Sequence, residues 1–328
     1  MSQPMIFFGG HRKGGTTLLL NLFDDHPDLC VYPQDINVLY AYHPKFTRVS
    51  VSAAERRERL RTILFRELEA GVAKWRPKKS PDVERAEQLF FDGLNDDALD
   101  DPTYVLERFA TNLKTVTGRD KPVVLKETSC EIYADMLLDR FPGSRFVQIL
   151  RDPRDNFAAL KSGVTKYYGK FGEDEARILA SLINRAGLGF RYADSNQQQF
   201  GPDRYKVVRF EDLVENPEAV TRDLCEFLGI TFANSLLCPS YFGVPVSGNS
   251  HEGTLFQGVS KQNKGRWRER ISEREAATIE FFLEDQMEEW GYESVFDIKQ
   301  KSVASSEFYE FYNYNYFYFD RFAENSKS

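Results

Sequence analysis

The sequence predicts an α/β fold in which a central parallel sheet is flanked by helices. Short apolar runs alternate along the chain with stretches of helical periodicity, as expected for successive βα units. Each run is followed by polar or glycine-containing residues and then by a helical pattern. The clearest runs are Met5–Phe8, Val123–Leu125, Arg145–Leu150 and Tyr205–Phe210. Because ligands of such sheets bind at the carboxyl ends of the strands, we expect the functional residues at these junctions.

The composition is that of a globular protein of 328 residues, of which 41% are hydrophobic, and its formal net charge is −7. This negative charge argues against a general nucleic-acid binder. The four cysteines form no CxxC pair and lie far from the histidines, so we expect buried reduced thiols and no metal site. The segment before Met5 is too short for a signal peptide, and no apolar run approaches the roughly 20 residues of a membrane span. These features predict a cytoplasmic protein without a membrane span.

We interpret residues 1–300 as one domain with a helical insertion over about residues 48–120. Within the insertion, Ala53–Gly71 is charged and helix-forming, with four apolar residues at helical spacing: Leu60, Ile63, Leu64 and Leu68. The insertion is either a cap over an acceptor site or simple scaffold. Residues 301–328 form a tail that is densely aromatic over Phe308–Phe322, so we expect it to pack on its own domain or on a second subunit of a homodimer.

A glycine-rich loop, Gly10–Thr17, lies between the first strand and a helix that starts at Thr16. The glycines allow successive N–H groups to face an anion, and the helix N-terminus adds its partial positive charge. Gly10 and Gly15 have the spacing of a nucleotide triphosphatase loop, but Thr16 occupies the position of the lysine that would follow. The lysine stands inside the loop instead, at Lys13. There it could neutralise the charge that develops on a phosphate leaving group.

The string Arg12-Lys13-Gly14-Gly15-Thr16-Thr17 resembles the 5′-phosphosulfate loop of the sulfotransferases that use 3′-phosphoadenosine-5′-phosphosulfate (PAPS). It looks most like the loop of the heparan sulfate 3-O-sulfotransferase branch. The resemblance implies a P-loop-type three-layer fold, PAPS as cosubstrate, no metal, and a donor site that includes all six of these residues. Arg12 is expected to support the loop, and Lys13 to act in the transfer.

Three further segments carry the resemblance. Arg151 follows a strand and opens a helix, as does the arginine that binds the 3′-phosphate of PAPS in the family. The family's serine eight residues later is Ala159 here, and Ser162 is the candidate replacement. The segment Tyr205–Leu213 resembles the family's strand and its structural Glu-Asp-Leu turn. A late basic segment resembles the loop that closes over the nucleotide, with Lys261, Lys264, Gly265 and Arg266 as the binding residues.

The candidate base comes from the same comparison. In the 3-O branch a glutamate and a histidine follow the His-Pro-Asp segment that ends the first helix; here His26-Pro27-Asp28 is followed by Asp35 and Asn37. Asp35 is therefore either the base that takes the acceptor proton or merely a cap for the segment Ile36–Ala41. After the next strand, Lys126 is expected to contact the sulfuryl oxygens or the acceptor, and Glu127 is the alternative base.

Together these segments predict transfer of a sulfuryl group from PAPS to an acceptor hydroxyl of a carbohydrate or small molecule. Two alternatives stay open at the level of sequence. One is a nucleotide kinase or NTPase of the same architecture, which the lysine missing after Gly15 argues against. The other is a binding protein that has kept the nucleotide site and lost turnover, in keeping with Ala159 and Asn37.

Overall fold

The computed structural model describes residues 3–42, 52–78, 81–165, 168–171, 174–246 and 258–312. By their contacts these residues form two compact units. The first holds the described residues up to Leu150 and those from Tyr192 to Ser260; the second holds Arg151–Arg191 and the residues from Lys261 onward. The single domain ending at residue 300 stays a prediction. Most of the predicted tail, from residue 313, lies outside the described residues.

The first unit is built on a five-stranded sheet whose strands all run parallel. This confirms the predicted α/β class. The spatial order is β2-β3-β1-β4-β5, and the strands are β1 (Met5–Gly9), β2 (Cys30–Asp35), β3 (Val123–Lys126), β4 (Arg145–Leu150) and β5 (Tyr205–Arg209). The strand β2 was not predicted.

Most residues of this sheet are buried on both faces, which explains why its central strands β1, β3 and β4 are rich in apolar residues. One face, with Phe7, Leu125 and Phe146, packs under helices that include α2 (Val38–Tyr42), α6 (Pro102–Thr117) and α7 (Ala134–Arg140). The opposite face, with Phe8, Val124 and Val147, packs against α1 (Thr16–Phe23), α10 (Phe210–Glu215) and α11 (Pro217–Leu228). Successive strand residues alternate between the two cores.

The chain between β2 and β3 is helical. The stretch predicted as one helix over Ala53–Gly71 consists of α3 (Ala53–Arg61), a π-helical turn (Thr62–Arg66) and α4 (Glu67–Trp75), followed by α5 (Val83–Phe91) and α6. Leu60, Leu64 and Leu68 are buried as their spacing indicated. After α11, a short hairpin is formed by β6 (Ser240–Tyr241) and β7 (Val244–Pro245).

The second unit is helical, with α8 (Pro153–Lys161), α12 (Trp267–Arg270), α13 (Glu273–Glu289) and α14 (Ile298–Tyr312). The long helix α9 (Glu175–Phe200) begins in this unit and ends in the first. Helix α13 packs on α8 and α14, and its start is fixed by a reciprocal capping box between Ser272 and Glu275. No helix among the described residues is long and apolar enough to cross a membrane.

Candidate active site

The loop between β1 and α1 has the backbone geometry that the sequence predicts for anion binding. Gly10 and Gly15 have φ angles of +138° and +106°. A Cβ atom at Gly10 would lie 2.4 Å from the carbonyl oxygen of Ile149, and one at Gly15 would lie 2.5 Å from the Phe210 ring. Only glycine fits at these two positions. The loop closes on itself through a hydrogen bond of 2.8 Å from the Gly14 N–H to the His11 carbonyl.

The residues expected to bind PAPS lie in this loop and at the start of α1. Lys13 lies in the left-handed region at φ +61°, and both Arg12 and Lys13 are half-buried. Thr16, which is buried, and Thr17 form the first turn of α1. The N–H groups of a first helical turn have no partner within their own helix and point toward the N-terminal end, here toward the loop. The loop therefore combines amide donors, a helix terminus and two cationic side chains.

At the carboxyl ends of β2 and β3, the structure joins two residues that lie 91 positions apart. The Lys126 Nζ donates to Asp35 Oδ2 at 2.6 Å. Thr128 donates twice to the same carboxylate, from its hydroxyl at 2.7 Å and from its backbone N–H at 3.3 Å. The Lys126 side chain is 5% exposed and that of Asp35 is 23% exposed. Asp35 is thus held rigidly by three donors while part of its side chain stays open to an incoming group.

Glu127, the alternative base, has a different environment. It is only 2% exposed, and its Oε2 accepts a hydrogen bond of 3.0 Å from the backbone N–H of Leu39 in the first turn of α2. The carboxylate thus satisfies an N–H group that α2 leaves without a partner in its own helix. Of the two carboxylates, Asp35 is the more accessible to a substrate.

Further groups surround Asp35 on the side of α4. The pKa of Glu67 is raised, mainly because burial disfavours its charge and also because of the Asp35 carboxylate. Gln34, which precedes Asp35, donates to the Glu67 carbonyl at 2.9 Å and to the Tyr241 hydroxyl at 3.0 Å. Burial likewise raises the pKa of Tyr241, so its hydroxyl stays protonated at neutral pH. These contacts tie the end of β2 to α4 and to the β6–β7 hairpin.

In the second unit, the basic segment is anchored by the start of α8. The Arg151 guanidinium donates to the carbonyl of Asn263 at 2.9 Å. The Asp155 carboxylate accepts the N–H groups of Gly265 at 2.5 Å and Trp267 at 2.8 Å. Burial raises the pKa of Asp155, and the neighbouring Arg151 partly offsets that effect. Arg151 and the segment Lys261–Arg266 are thus one connected structure.

The other residues that the sequence predicts to bind PAPS differ in their exposure and contacts. Lys261 and Lys264 are exposed, whereas Gly265, at φ +72°, and Arg266 are half-buried. Ser162 caps the end of α8, and its hydroxyl donates to the Ala159 carbonyl at 2.9 Å. That hydroxyl is therefore already engaged with its own helix end, so binding a phosphate through its proton would require it to leave Ala159.

Two features bear on metals and cysteines. Within the part of the chain that the structure describes, no three His, Cys, Asp or Glu side chains lie close enough together to hold a metal ion. Cys30, Cys130 and Cys225 are buried free thiols, but Cys238 is exposed, contrary to the expectation that all four are buried. Burial raises the pKa of Cys130, so it remains a neutral thiol.

Sequence reasoning missed several residues that shape the site. Thr128 and Asp155 lie in segments where the sequence predicted roles only for other residues. The structure shows that Thr128 binds Asp35 and that Asp155 binds the backbone of Gly265. In the sequence, either residue could equally well be explained as part of a helix or as a helix cap. No sequence signal indicates a buried contact between Glu131 and the first residue of the loop.

Comparison with known proteins decides the family. The model of the sulfotransferase family matches residues 4–234, which is most of the chain. The chain belongs to the sulfotransferase family. The family predicted from the motifs is thereby confirmed, whereas the likeness to the 3-O branch stays a prediction.

Among curated sulfotransferases, the chain is 26% identical over 119 residues to the omega-hydroxy-beta-dihydromenaquinone-9 sulfotransferase Stf3 of Mycobacterium tuberculosis. That match covers 34% of this chain and 30% of Stf3. The chain is also 24% identical over 241 residues to protein-tyrosine sulfotransferase 2 of Gallus gallus, covering 72% of this chain and 53% of the other. It therefore spans no more than about half the length of these relatives.

Two solved sulfotransferase domains share the fold of this member of the family. The domain of the Synechococcus PCC 7002 olefin synthase superposes with a TM-score of 0.55 at 17% identity, covering 90% of this chain and 98% of that domain. The domain of the curacin biosynthetic pathway gives a TM-score of 0.51 at 17% identity, covering 93% and 97%. These likenesses support the predicted P-loop-type three-layer fold and nothing finer.

Proposed function

We propose that the protein transfers a sulfuryl group from PAPS to an acceptor hydroxyl, that of a carbohydrate or a small molecule, by in-line displacement. The observation that carries the proposal is the cluster of Asp35, Lys126 and Thr128 at the same edge of the sheet as the anion-binding loop. A phosphate loop alone would fit many enzymes. A carboxylate held beside a lysine at this edge adds a base and a cation for group transfer.

The strand register supports the proximity of these parts. Lys126 lies in register with Phe8 of β1 on one side and with Asp35 of β2 on the other. Neighbouring strands lie about 4.8 Å apart, so Asp35 stands roughly 10 Å across the sheet from the strand that leads into the loop. A sulfuryl group bound at the loop and an acceptor hydroxyl at Asp35 fit within that span.

We assign the following roles in the transfer. The acceptor hydroxyl attacks sulfur as Asp35 takes its proton, a new S–O bond forms, and the bond from sulfur to the bridging oxygen breaks. The electron pair of that bond leaves with 3′-phosphoadenosine 5′-phosphate (PAP), and Lys13 with the loop amides stabilises the resulting charge. Lys126 keeps Asp35 oriented, and its ammonium has further N–H donors for the sulfuryl oxygens.

For the 3′-phosphate we propose Arg151, because a guanidinium carries five donors in a planar fork that matches phosphate oxygens. One of its nitrogens already donates to Asn263. The basic residues Lys261, Lys264 and Arg266 of the anchored segment add positive charge for the same nucleotide. Ser162 stays the candidate replacement for the family's serine, with its hydroxyl turning away from Ala159 on binding.

The acceptor class is supported by chemistry common to the relatives. Their names assign sulfation to a hydroxylated menaquinone in one case and to protein tyrosine in the other, and both are hydroxyl acceptors. Asp35 is suited to such a group because it is a partly open proton acceptor. The kinase alternative is not favoured, since the whole matched segment is that of sulfotransferases.

The test is transfer of label from PAPS to a panel of sugar, small-molecule and peptide-tyrosine hydroxyls. We expect the wild-type protein to label a member of the panel and Lys13→Ala to lose transfer while keeping its fold. Lys121→Ala, at an exposed lysine before β3, is the matched control and should keep full activity. In parallel, PAP should raise the melting temperature and ATP with Mg²⁺ should not.

Three other results would contradict the proposal or one of its assignments. Full transfer by Lys13→Ala would refute the role of the loop lysine. Stabilisation by ATP with Mg²⁺, but not by PAP, would point to the kinase alternative. Tight PAP binding without transfer or PAPS hydrolysis would support a binding protein that has lost turnover.

A further inference from the structure

Both backbone polar groups of Gly10, the first residue of the loop, are held by a single turn after β3. The Gly10 N–H donates to Glu131 Oε2 at 2.9 Å. The Gly10 carbonyl accepts from the Ser129 N–H, also at 2.9 Å. Since the carbonyl is turned toward Ser129, its oxygen does not face the anion that the loop is built to bind. The turn Ser129–Glu131 therefore orients the two peptide groups on either side of the Gly10 Cα atom.

The Glu131 carboxylate, which accepts the hydrogen bond from Gly10, is deeply buried. Glu131 is 1% exposed, and its own backbone carbonyl accepts a hydrogen bond of 2.9 Å from Asn196 Nδ2. The same amide group donates to the Tyr205 hydroxyl at 3.1 Å, and that hydroxyl donates to Gln148 Oε1 at 2.6 Å. The network thus runs from the loop through α9 to β5 and β4, and its members are buried. Buried polar networks whose members are satisfied fix one local structure.

We propose that Glu131 is a positioning residue for the donor: its carboxylate fixes Gly10 and thereby sets the affinity of the loop for the 5′-phosphosulfate end of PAPS. The inference rests on the proposed function. Glu131 is only 1% exposed, so its side chain is not open to a substrate and acts through the backbone of Gly10. Gly10 has φ +138° and carries no side chain that would restrict its dihedral angles, so its two hydrogen bonds help to select this conformation.

The decisive comparison is between two substitutions of similar volume. Glu131→Gln keeps an oxygen that accepts the Gly10 N–H, whereas Glu131→Met leaves that N–H buried without a partner. A buried N–H without a partner disfavours the binding-competent loop, so we expect Glu131→Met to raise the KM for PAPS and the Kd for PAP about tenfold. Glu131→Gln should stay within about threefold of wild type, and the KM for the acceptor should not change in either variant.

The matched control is Asn112→Leu in α6. It removes a comparable buried hydrogen bond, from Asn112 Nδ2 to the Ala86 carbonyl at 2.9 Å, within the same unit. We expect it to lower the melting temperature as Glu131→Met does, with PAP affinity unchanged. Should Glu131→Met not fold, Asn196→Leu takes its place. It releases the Glu131 carbonyl, and we expect about a threefold rise in the Kd for PAP.

A second readout is independent of the nucleotide. Amide hydrogen exchange at Gly10 should be faster in Glu131→Met than in Glu131→Gln in the absence of PAP, because only the former lacks the acceptor. Unchanged PAP affinity and unchanged Gly10 exchange in a folded Glu131→Met protein would overturn the inference alone. Failure of the wild-type protein to bind PAP would instead overturn the proposed function.

Discussion

The choice between Asp35 and Glu127 as base is tested by replacing each carboxylate with its amide. Asp35→Asn removes the proton acceptor and keeps the shape of the side chain. If Asp35 is the base, kcat should fall by about 10²–10⁴-fold, which corresponds to roughly 2.7–5.4 kcal/mol at the transition state. The KM for PAPS should change little, because Asp35 contacts Lys126 and Thr128 and not the loop.

For Glu127→Gln the structure predicts that activity is retained. The Glu127 side chain is buried and accepts the Leu39 N–H, and a glutamine oxygen can accept the same bond. Glu127→Gln should therefore keep kcat within about threefold of wild type. Its melting temperature should be close to that of wild type, since the buried Leu39 N–H keeps an acceptor.

Stability must be measured together with rate, because Asp35→Asn also breaks the ion pair with Lys126. Loss of one partner of a fully buried pair costs about 3–5 kcal/mol, and the partial exposure of Asp35 reduces this to roughly 1–3 kcal/mol. Rates are therefore compared at 25 °C after urea unfolding has shown each variant to be folded. Loss of transfer in Glu127→Gln, with Asp35→Asn active, would reverse the two assignments.

Two further predictions concern stability. Burial raises the pKa of Asp24, so the folded state binds this proton more tightly than the unfolded state, and the contribution of Asp24 to stability falls as pH rises from about 4 through the folded pKa. Urea unfolding should show Asp24→Asn gaining stability relative to wild type across that window, and a pH-independent difference would contradict the prediction. Ser129 has φ +60° and a buried hydroxyl without a hydrogen-bond partner in the described part of the chain, so Ser129→Gly should raise the free energy of unfolding by about 1 kcal/mol. Thermal unfolding that shows a loss would refute this.

The sheet could be predicted to the extent that its strands are apolar. The runs at β1, β3 and β4 are almost wholly buried, so hydrophobicity marks them, and the half-buried edge strand β5 still carries three apolar residues of five. The observed ends of all four strands differ from the predicted ones by at most one residue. Strand β2 was missed because only Cys30, Val31 and Tyr32 are apolar before Pro33. The segment forms a strand because it pairs with β3, and the register of that pairing is irregular between Val31 and Asp35.

The loop could also be predicted, since its glycines serve a local backbone requirement that is visible in the sequence. Asp35 and Lys126 were named from the resemblance, but their pairing depends on two strands that the helices α2 to α6 separate along the chain. The Glu131 contact with Gly10 spans 121 positions and involves a residue that looks like part of an ordinary helical turn. Such contacts follow from the tertiary structure and leave no periodic pattern.

The topology separates the parts that must stay fixed from those that can vary. Strand β3 lies between β1, which leads into the loop, and β2, which ends at Asp35, so backbone hydrogen bonds of the sheet fix the spacing of the loop, Lys126 and Asp35. The helices α2 to α6 are inserted between β2 and β3 and can change without altering that spacing. Contacts such as that of Gln34 with the Glu67 carbonyl then couple these helices to the residue before Asp35. Under the proposed function, selection of the acceptor is thus expected to lie in this inserted segment, and the chemistry of transfer at the carboxyl ends of β1, β2 and β3.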